Sequence, residues 1–320
     1  MLALASPASL KGVLAPAAAA VHLAVGLRTW VAAEELPVAD GGEGTAAVLQ
    51  SVLGGEWRTA TVADPLGRPV SARWLVLPDG SAVVDSAEAV GLPLLAAGEL
   101  DPLRAATHGL GELLLAAVAQ KPRQLLVGVG GTATVDGGLE MRGVVGAALR
   151  DVRVRVLCDV RNPLLGERGA ARVFGPQKGA GIDAVEELER RLTSLTELEP
   201  FRDLPGAGAG GGLGAAFAAL GAELCDGAAV VLDTIGFDER ARGADLVVTG
   251  EGAVDRTTLE GKAPGAVVRR CAELGVRCVL FGGLVRDGID ATALSGDPAC
   301  AGKDLEALGE QLGRALVERA

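Results

Sequence analysis

Three times the chain repeats one local pattern: a short aliphatic run, then a glycine-rich turn that carries a carboxylate. The instances are LPVADGGEGTAAVL (Leu36 to Leu49), LLVGVGGTATVDGG (Leu125 to Gly138) and ADLVVTGEGAVD (Ala244 to Asp255). Short apolar runs bounded by glycine read as buried strands, and helix-like segments follow several of them. Strand and helix in alternation favour a largely parallel sheet covered by helices. Ligands of open sheets of this kind bind beyond the carboxyl ends of the strands. The expected fold class is therefore α/β, with the three acidic turns converging on one cleft.

One stretch has a different texture. RTATVADPLGRPVSARWLVLPDGSAVVDSA (Arg58 to Ala87) alternates and carries Pro-Leu-Gly and Pro-Asp-Gly turn signals, which predict antiparallel hairpins. It interrupts an α/β pattern that resumes near Leu125. Residues 1–60 plus 262–320 are expected to form one discontinuous domain, and residues 61–261 a second, larger one with a largely parallel sheet. Helices are expected over Val13 to Leu27, Leu103 to Ala119, Val185 to Leu198 and Leu305 to Arg319. Strands are expected at VRVRVLCD, AAVVLD and VRCVLFGG.

Composition excludes several classes. A net charge of −11 and an aromatic content of 2% argue against nucleic-acid binding, which needs positive charge and stacking platforms. The five cysteines are scattered, with no C-x-x-C pair, so reduced thiols in a cytoplasmic protein are the expectation rather than zinc ligands. No run reaches the roughly 18 apolar residues of a membrane span. With only His22 and His108, no nucleophile–base pairing stands out.

Bare glycine beside a carboxylate suits a phosphate and a hard cation together: backbone N–H groups close on phosphate oxygens while Asp or Glu serves Mg²⁺. Thr132 and Thr134 add hydroxyl donors at the mouth of a helix, a position that favours anions. The plain alternative is that Asp40 and Asp136 cap helices, as Asp commonly does. Lys178, in FGPQKGA, reads either as a solvated charge or as a phosphate clamp. Gly206, Gly208 and Gly211 match G-x-G-x-x-G, with Asp233 some way on, but the charged segment before them is not the strand that a dinucleotide fingerprint requires. No G-x-x-x-x-G-K-[ST] is present.

Taken together, SLKG (Ser9 to Gly12), ADGGEGT (Ala39 to Thr45), GGTATVDGG (Gly130 to Gly138), CDVRNPLLGERGAARVFGPQKGA (Cys158 to Ala180), GAGAGGGLGAA and GFDERARGADLVVTGEGAVDRTTLEGKAPGAV (Gly236 to Val267) resemble the bacterial glycerate kinases of the glycerate-kinase-I type. The segments occur in the expected order over nearly the whole chain. The resemblance implies two α/β domains with the active site in the cleft between them. It also implies ATP-dependent phosphorylation of D-glycerate with Mg²⁺, the 2-hydroxyl being favoured and 2-phosphoglycerate the product. ATP and D-glycerate are then the partners, and a homodimer is left open.

Site membership follows from that resemblance, and roles from residue chemistry. Lys11, Asp40, Asp136 and Asp255 are the catalytic candidates, with Asp40 orienting the hydroxyl nucleophile and Asp255 as the second choice. Substrate or phosphate binding is assigned to Ser9, Gly41, Gly42, Glu43, Gly130, Gly131, Thr132, Thr134, Lys178 and Gly250. Asp136 and Glu251 are the expected metal carboxylates. The sequence departs from the family pattern at Ala8, where an acid is usual, at Leu10 for an aromatic, at Leu110 for a hydroxyl residue, at Val135 for Asn and at Thr257 for Gln. Two other readings stay open: a non-catalytic nucleotide- or sugar-acid-binding homologue, and an NAD-dependent dehydrogenase.

Overall fold

The computed structural model describes residues 1–319, the side chain of residue 260 excepted. Its strands, in chain order, are β1 (Leu2–Ala5), β2 (Ala32–Glu35), β3 (Glu56–Ala63), β4 (Pro69–Val76), β5 (Ala82–Asp85), β6 (Leu125–Gly128), β7 (Val154–Cys158), β8 (Glu223–Asp226), β9 (Leu246–Val254), β10 (Cys278–Val285) and β11 (Thr292–Ala293). They form a five-stranded and a six-stranded sheet, one in each of two compact units. Unit 1 comprises Met1–Asp40, Ala47–Val52 and the chain from Ala228 onward; unit 2 comprises Gly41–Ala46 and Leu53–Gly227.

The sheet of unit 1 runs β11-β10-β9-β1-β2, and every pairing is parallel. Ala3, Leu4 and Ala5 of β1 and Leu246, Val247 and Val248 of β9 are all 0% exposed, as expected of strands covered on both faces. One cover is the helix Pro16–Leu27, which packs on the helix Ala301–Val317. Their backbones meet through glycine: a Cβ on Gly26 would strike the carbonyl of Glu306, and one on Gly309 the carbonyl of Leu23.

The sheet of unit 2 runs β3-β4-β5-β6-β7-β8. The pairs β3/β4 and β4/β5 are the antiparallel hairpins that the sequence predicts, and β5 to β8 are parallel. Asp64 closes the first hairpin turn by accepting the N–H groups of Leu66 and Arg68 at 2.8 and 2.9 Å. Trp74, Leu110, Leu113, Met141 and Phe217 fill the core, so aliphatic side chains supply most of its volume.

Three expectations need correction. The boundary expected near residue 262 falls between Gly227 and Ala228, because β9 is hydrogen-bonded between β1 and β10 and carries its flanking residues into unit 1. AAVVLD is not a strand but lies in the helix Gly227–Thr234. Ala228, Val231, Leu232 and Ile235 are buried at helical spacing, and a short apolar run does not reveal its period. The helix expected from Leu103 begins only at His108.

Candidate active site

The acidic turn after β2 belongs to unit 2 from Gly41 onward, and it lies on the ends of β6 and β7. A Cβ on Gly41 would stand 2.6 Å from the Leu157 Cβ, and one on Gly130 would stand 2.6 Å from the Gly42 Cα. Two of the three glycine-rich turns therefore press backbone against backbone, and glycine is required there by packing before any ligand is considered. The loop is also tied to the end of β5. Asp85, which the sequence reading missed, accepts Gly44 N–H at 3.1 Å and Ala46 N–H at 3.2 Å. Glu43 is exposed at the tip of this loop, while Thr45 is buried and donates its hydroxyl to Gly42 O at 2.8 Å.

Beyond β6, Asp136 is fully engaged with its surroundings. Its Oδ2 accepts the Thr107 hydroxyl at 2.6 Å and the Thr107 N–H at 3.0 Å, and its Oδ1 accepts Gly138 N–H at 3.1 Å. Thr107 in turn accepts Met141 N–H at 3.1 Å, so this pair links the first turns of the helices His108–Val118 and Leu139–Val145. Burial pushes the Asp136 carboxyl up, against the lowering effect of these bonds. A cavity of about 300 Å³ lined by Arg104, Leu139, Glu140 and Arg191 reaches Asp136, whose oxygens already serve Thr107 and Gly138.

Lys178 is not the exposed clamp or solvated charge that the sequence offers. It is 3% exposed and donates to Thr132 Oγ1 at 3.0 Å and to Thr134 O at 2.7 Å. Burial pushes the ammonium down to about 7, and the nearby Asp136 charge opposes that shift. Thr132 therefore faces Lys178, and the buried Thr134 Oγ1 has no hydrogen-bond partner among the described residues. Lysine fastens the glycine-rich turn from within.

Unit 1 arranges its charges differently. Glu251 lies inside β9 rather than in a loop after it, paired with Gly282 of β10. Gly250 beside it is glycine because a Cβ would meet the Phe281 carbonyl. The Glu251 Oε1 accepts the Thr258 hydroxyl at 2.6 Å and lies 3.4 Å from the Lys262 ammonium. Burial pushes its carboxyl up; Thr258 and Lys262 oppose this, and the like charge of Asp40 adds to it. Two carboxylates and a lysine thus share one neighbourhood. Ser9 and Lys11 are exposed on the adjoining turn, where Ser9 O accepts Gly252 N–H at 3.4 Å. Ala8 is buried beside them and donates its N–H to Gly250 O at 2.8 Å.

Asp255 is a helix cap. Its Oδ1 accepts the N–H and the hydroxyl of Thr257 at 2.9 and 2.5 Å, at the start of the helix Arg256–Gly261. Those bonds, led by the Thr257 hydroxyl, hold its carboxyl below the usual range.

Among the described residues, no group of three or more His, Cys, Asp or Glu side chains is arranged to hold a metal ion. Mg²⁺ does not require one, since it takes one or two carboxylates along with phosphate and water. Asp136 fits such a role poorly because both oxygens accept backbone or hydroxyl hydrogens. Glu251 fits it well: it is half-buried, its described bonds all go to Oε1, and a cation would offset the repulsion from Asp40.

Sequence reasoning also missed Thr107, Thr258 and Lys262. Thr258 was legible as the partner in an Asp-x-x-Thr cap, but Thr107 meets Asp136 only through the tertiary fold. The G-x-G-x-x-G run follows the helical turn Thr196–Phe201, so the dehydrogenase reading has no fingerprint strand. No helix among the described residues is long and apolar enough to cross a membrane.

The chain matches the model of the glycerate kinase family over residues 3–151 and 143–302. It is 39% identical over 267 residues to a glycerate 2-kinase of Escherichia coli K12, covering 72% of this chain and 70% of that one. It is 37% identical over 303 residues to a glycerate kinase of Bacillus subtilis 168, covering 80% and 79%. A crystal structure assigned as a glycerate kinase 2 from Salmonella typhimurium LT2 superposes with a TM-score of 0.86 at 30% identity, covering 99% of this chain and 98% of that one.

Proposed function

The chain belongs to the glycerate kinase family, and from that premise we propose that it transfers the γ-phosphoryl group of ATP to the 2-hydroxyl of D-glycerate, giving 2-phosphoglycerate. The kinase activity is the family's. Support for the 2-hydroxyl is the name of the Escherichia coli relative, a glycerate 2-kinase.

The observation that carries the residue roles is the neighbourhood of Glu251, Asp40 and Lys262 in unit 1. Phosphoryl transfer asks mainly for positioning and for neutralisation of charge on the transferring group. Glu251 would hold Mg²⁺, which supplies that neutralisation when bound with ATP. Asp40 is assigned to orient the acceptor hydroxyl. Lys11, exposed on the turn after β1, is free to meet phosphate or the glycerate carboxylate, and Lys262 keeps Glu251 in place. In unit 2 the exposed Glu43 and the backbone of Gly41, Gly42, Gly130 and Gly131 form the loop offered to substrate. Thr132, Thr134, Asp136 and Lys178 stiffen its base, and Asp255 positions the turn after β9.

Coupled ADP release on addition of D-glycerate tests the reaction, and phosphorus NMR of the product tests its position. Phosphate on the 3-oxygen overturns the 2-hydroxyl assignment. Thermal stabilisation by ATP and glycerate without ADP release would mean a binding protein instead.

A further inference from the structure

Asp85 ends β5 with its side chain 5% exposed, and the N–H groups it accepts belong to another segment. Gly44 N–H reaches its Oδ2 at 3.1 Å, and Ala46 N–H lies 3.3 and 3.2 Å from its two oxygens. Ala46 belongs to the first turn of the helix Thr45–Leu53, whose leading N–H groups have no acceptor inside the helix. The next residue, Ser86, is anchored by its N–H to Gly128 O at 2.8 Å, which fixes the base from which Asp85 reaches. A Cβ on Gly128 would lie 2.8 Å from Gly41 O and 3.1 Å from the Asp85 carboxylate. The loop that presents Glu43 therefore rests on a glycine floor and is drawn down by one buried carboxylate.

We propose that Asp85 is a positioning residue for phosphoryl transfer, its carboxylate holding the Gly41–Ala46 loop in the arrangement that receives substrate and its protonated form holding it less firmly. The inference rests on the kinase reading of that loop. A carboxylate accepts from N–H groups about twice as strongly as a neutral acid does. Burial pushes the Asp85 carboxyl up to about 7; the Ala46 and Gly44 N–H groups oppose this, and Glu88 and Glu43 reinforce it. The charges around it are thus Glu43 on the loop and Glu88 on the turn after β5, the latter paired with Arg73 at 2.9 Å. Ionising Asp85 costs folding free energy, so stability from this group is present at acid pH and is lost as pH rises toward 7. Function needs the same ionisation. Stability and activity should therefore move in opposite directions.

The test compares wild type with Asp85→Asn, which keeps one acceptor oxygen and cannot ionise. ADP release with D-glycerate and thermal melting are followed from pH 5.5 to 8.5. The ratio of wild-type to variant kcat/KM is expected to lie near one at pH 5.5, where Asp85 is protonated, and to climb roughly tenfold by pH 8.5. Over the same range the melting temperature of the variant should rise relative to that of the wild type up to about pH 7 and hold level above it. Lys178 titrates in both proteins, so the ratio isolates Asp85. A ratio that does not change with pH while the wild type turns over overturns the proposal. A merely structural carboxylate would move the melting difference and leave that ratio flat. A wild type that releases no ADP at any pH instead overturns the kinase reading, and the melting difference still reports whether Asp85 ionises in the fold.

Discussion

In unit 2 Asp85 and Lys178 are buried and, like Asp136, bonded to neighbouring backbone and hydroxyl groups, whereas in unit 1 Glu251 is partly open and bonded to other side chains. Asp85, Asp136 and Lys178 each spend their hydrogen bonds on neighbouring turns. Glu251 spends its bonds on Thr258 and Lys262 and has the like charge of Asp40 beside it. The same pairing of glycine and carboxylate in sequence thus performs two tasks. Where backbone presses on backbone, the acid replaces hydrogen-bond partners that water can no longer supply. Where acid lies near acid, the arrangement stores repulsion that a cation would relieve.

The contrast is most exposed at Glu251. Glu251→Gln keeps the acceptor for Thr258 and removes the charge, so melting should stay near wild type while kcat falls by ~10²–10³. Steady-state kinetics at saturating Mg²⁺ and ATP, beside a thermal melt, decide it. Turnover close to wild type would erase the distinction between the units.

Asp136 should behave the other way. Asp136→Ala leaves the N–H groups of Thr107 and Gly138 without their acceptor, and unfolding free energy should drop by roughly 2–4 kcal/mol. Asp136→Asn retains an acceptor, so its turnover should stay within about tenfold of wild type. Urea denaturation and kinetics of both variants check this. A folded Asn variant with kcat down by ~10² would return Asp136 to the chemistry and the metal role to it.

Lys178 gives a smaller, pH-dependent effect. Its ammonium is pushed down to about 7 in the fold from an ordinary value of 10.5. The unfolded chain therefore binds more protons between those values, and stability rises with pH across that window. The gain from this group should be about 1 kcal/mol between pH 7 and 8. Lys178→Met should lack that rise, as paired denaturation curves at the two pH values would reveal. Equal slopes in both proteins would mean that the lysine is solvated.

The smallest effect is expected at Ala8, buried beside Gly250 where the family usually has an acid. Ala8→Asp should lower the Mg²⁺ concentration needed for half-maximal rate and raise kcat/KM a few fold. An unchanged Mg²⁺ titration would indicate that Glu251 and Asp40 suffice without it.

Much of this was legible from sequence. The hairpins between Arg58 and Ala87 and most of the alternating strands and helices follow from local periodicity and turn chemistry. What was not legible lies in tertiary pairing. AAVVLD is too short and too uniformly apolar to declare its period, and the three turns gave no sign of dividing between the units. Asp85 sits after an apolar strand without any glycine to mark it, so its link to Gly44 and Ala46 emerges only when β5 and that loop are side by side. Lys178, between Gln177 and two small residues, reads as a solvated charge or a phosphate clamp, and only the fold buries it under Thr132 and Thr134.

The glycine contact between the helices Pro16–Leu27 and Ala301–Val317 bears on how the protein is made. Unit 1 joins the beginning of the chain to residues translated after Gly227, while nearly all of unit 2 is one uninterrupted stretch. During synthesis the ribosome releases everything unit 2 needs while β1 still lacks β9 as its neighbour. The helix Pro16–Leu27, with its small-residue face uncovered, must wait through the synthesis of residues 28–300 for the partner that fits it. Domains generally fold as units during translation, and exposed apolar surface on a waiting segment invites aggregation. A nascent chain halted before Ala301 would therefore hold a folded unit 2 beside an incomplete, chaperone-seeking unit 1.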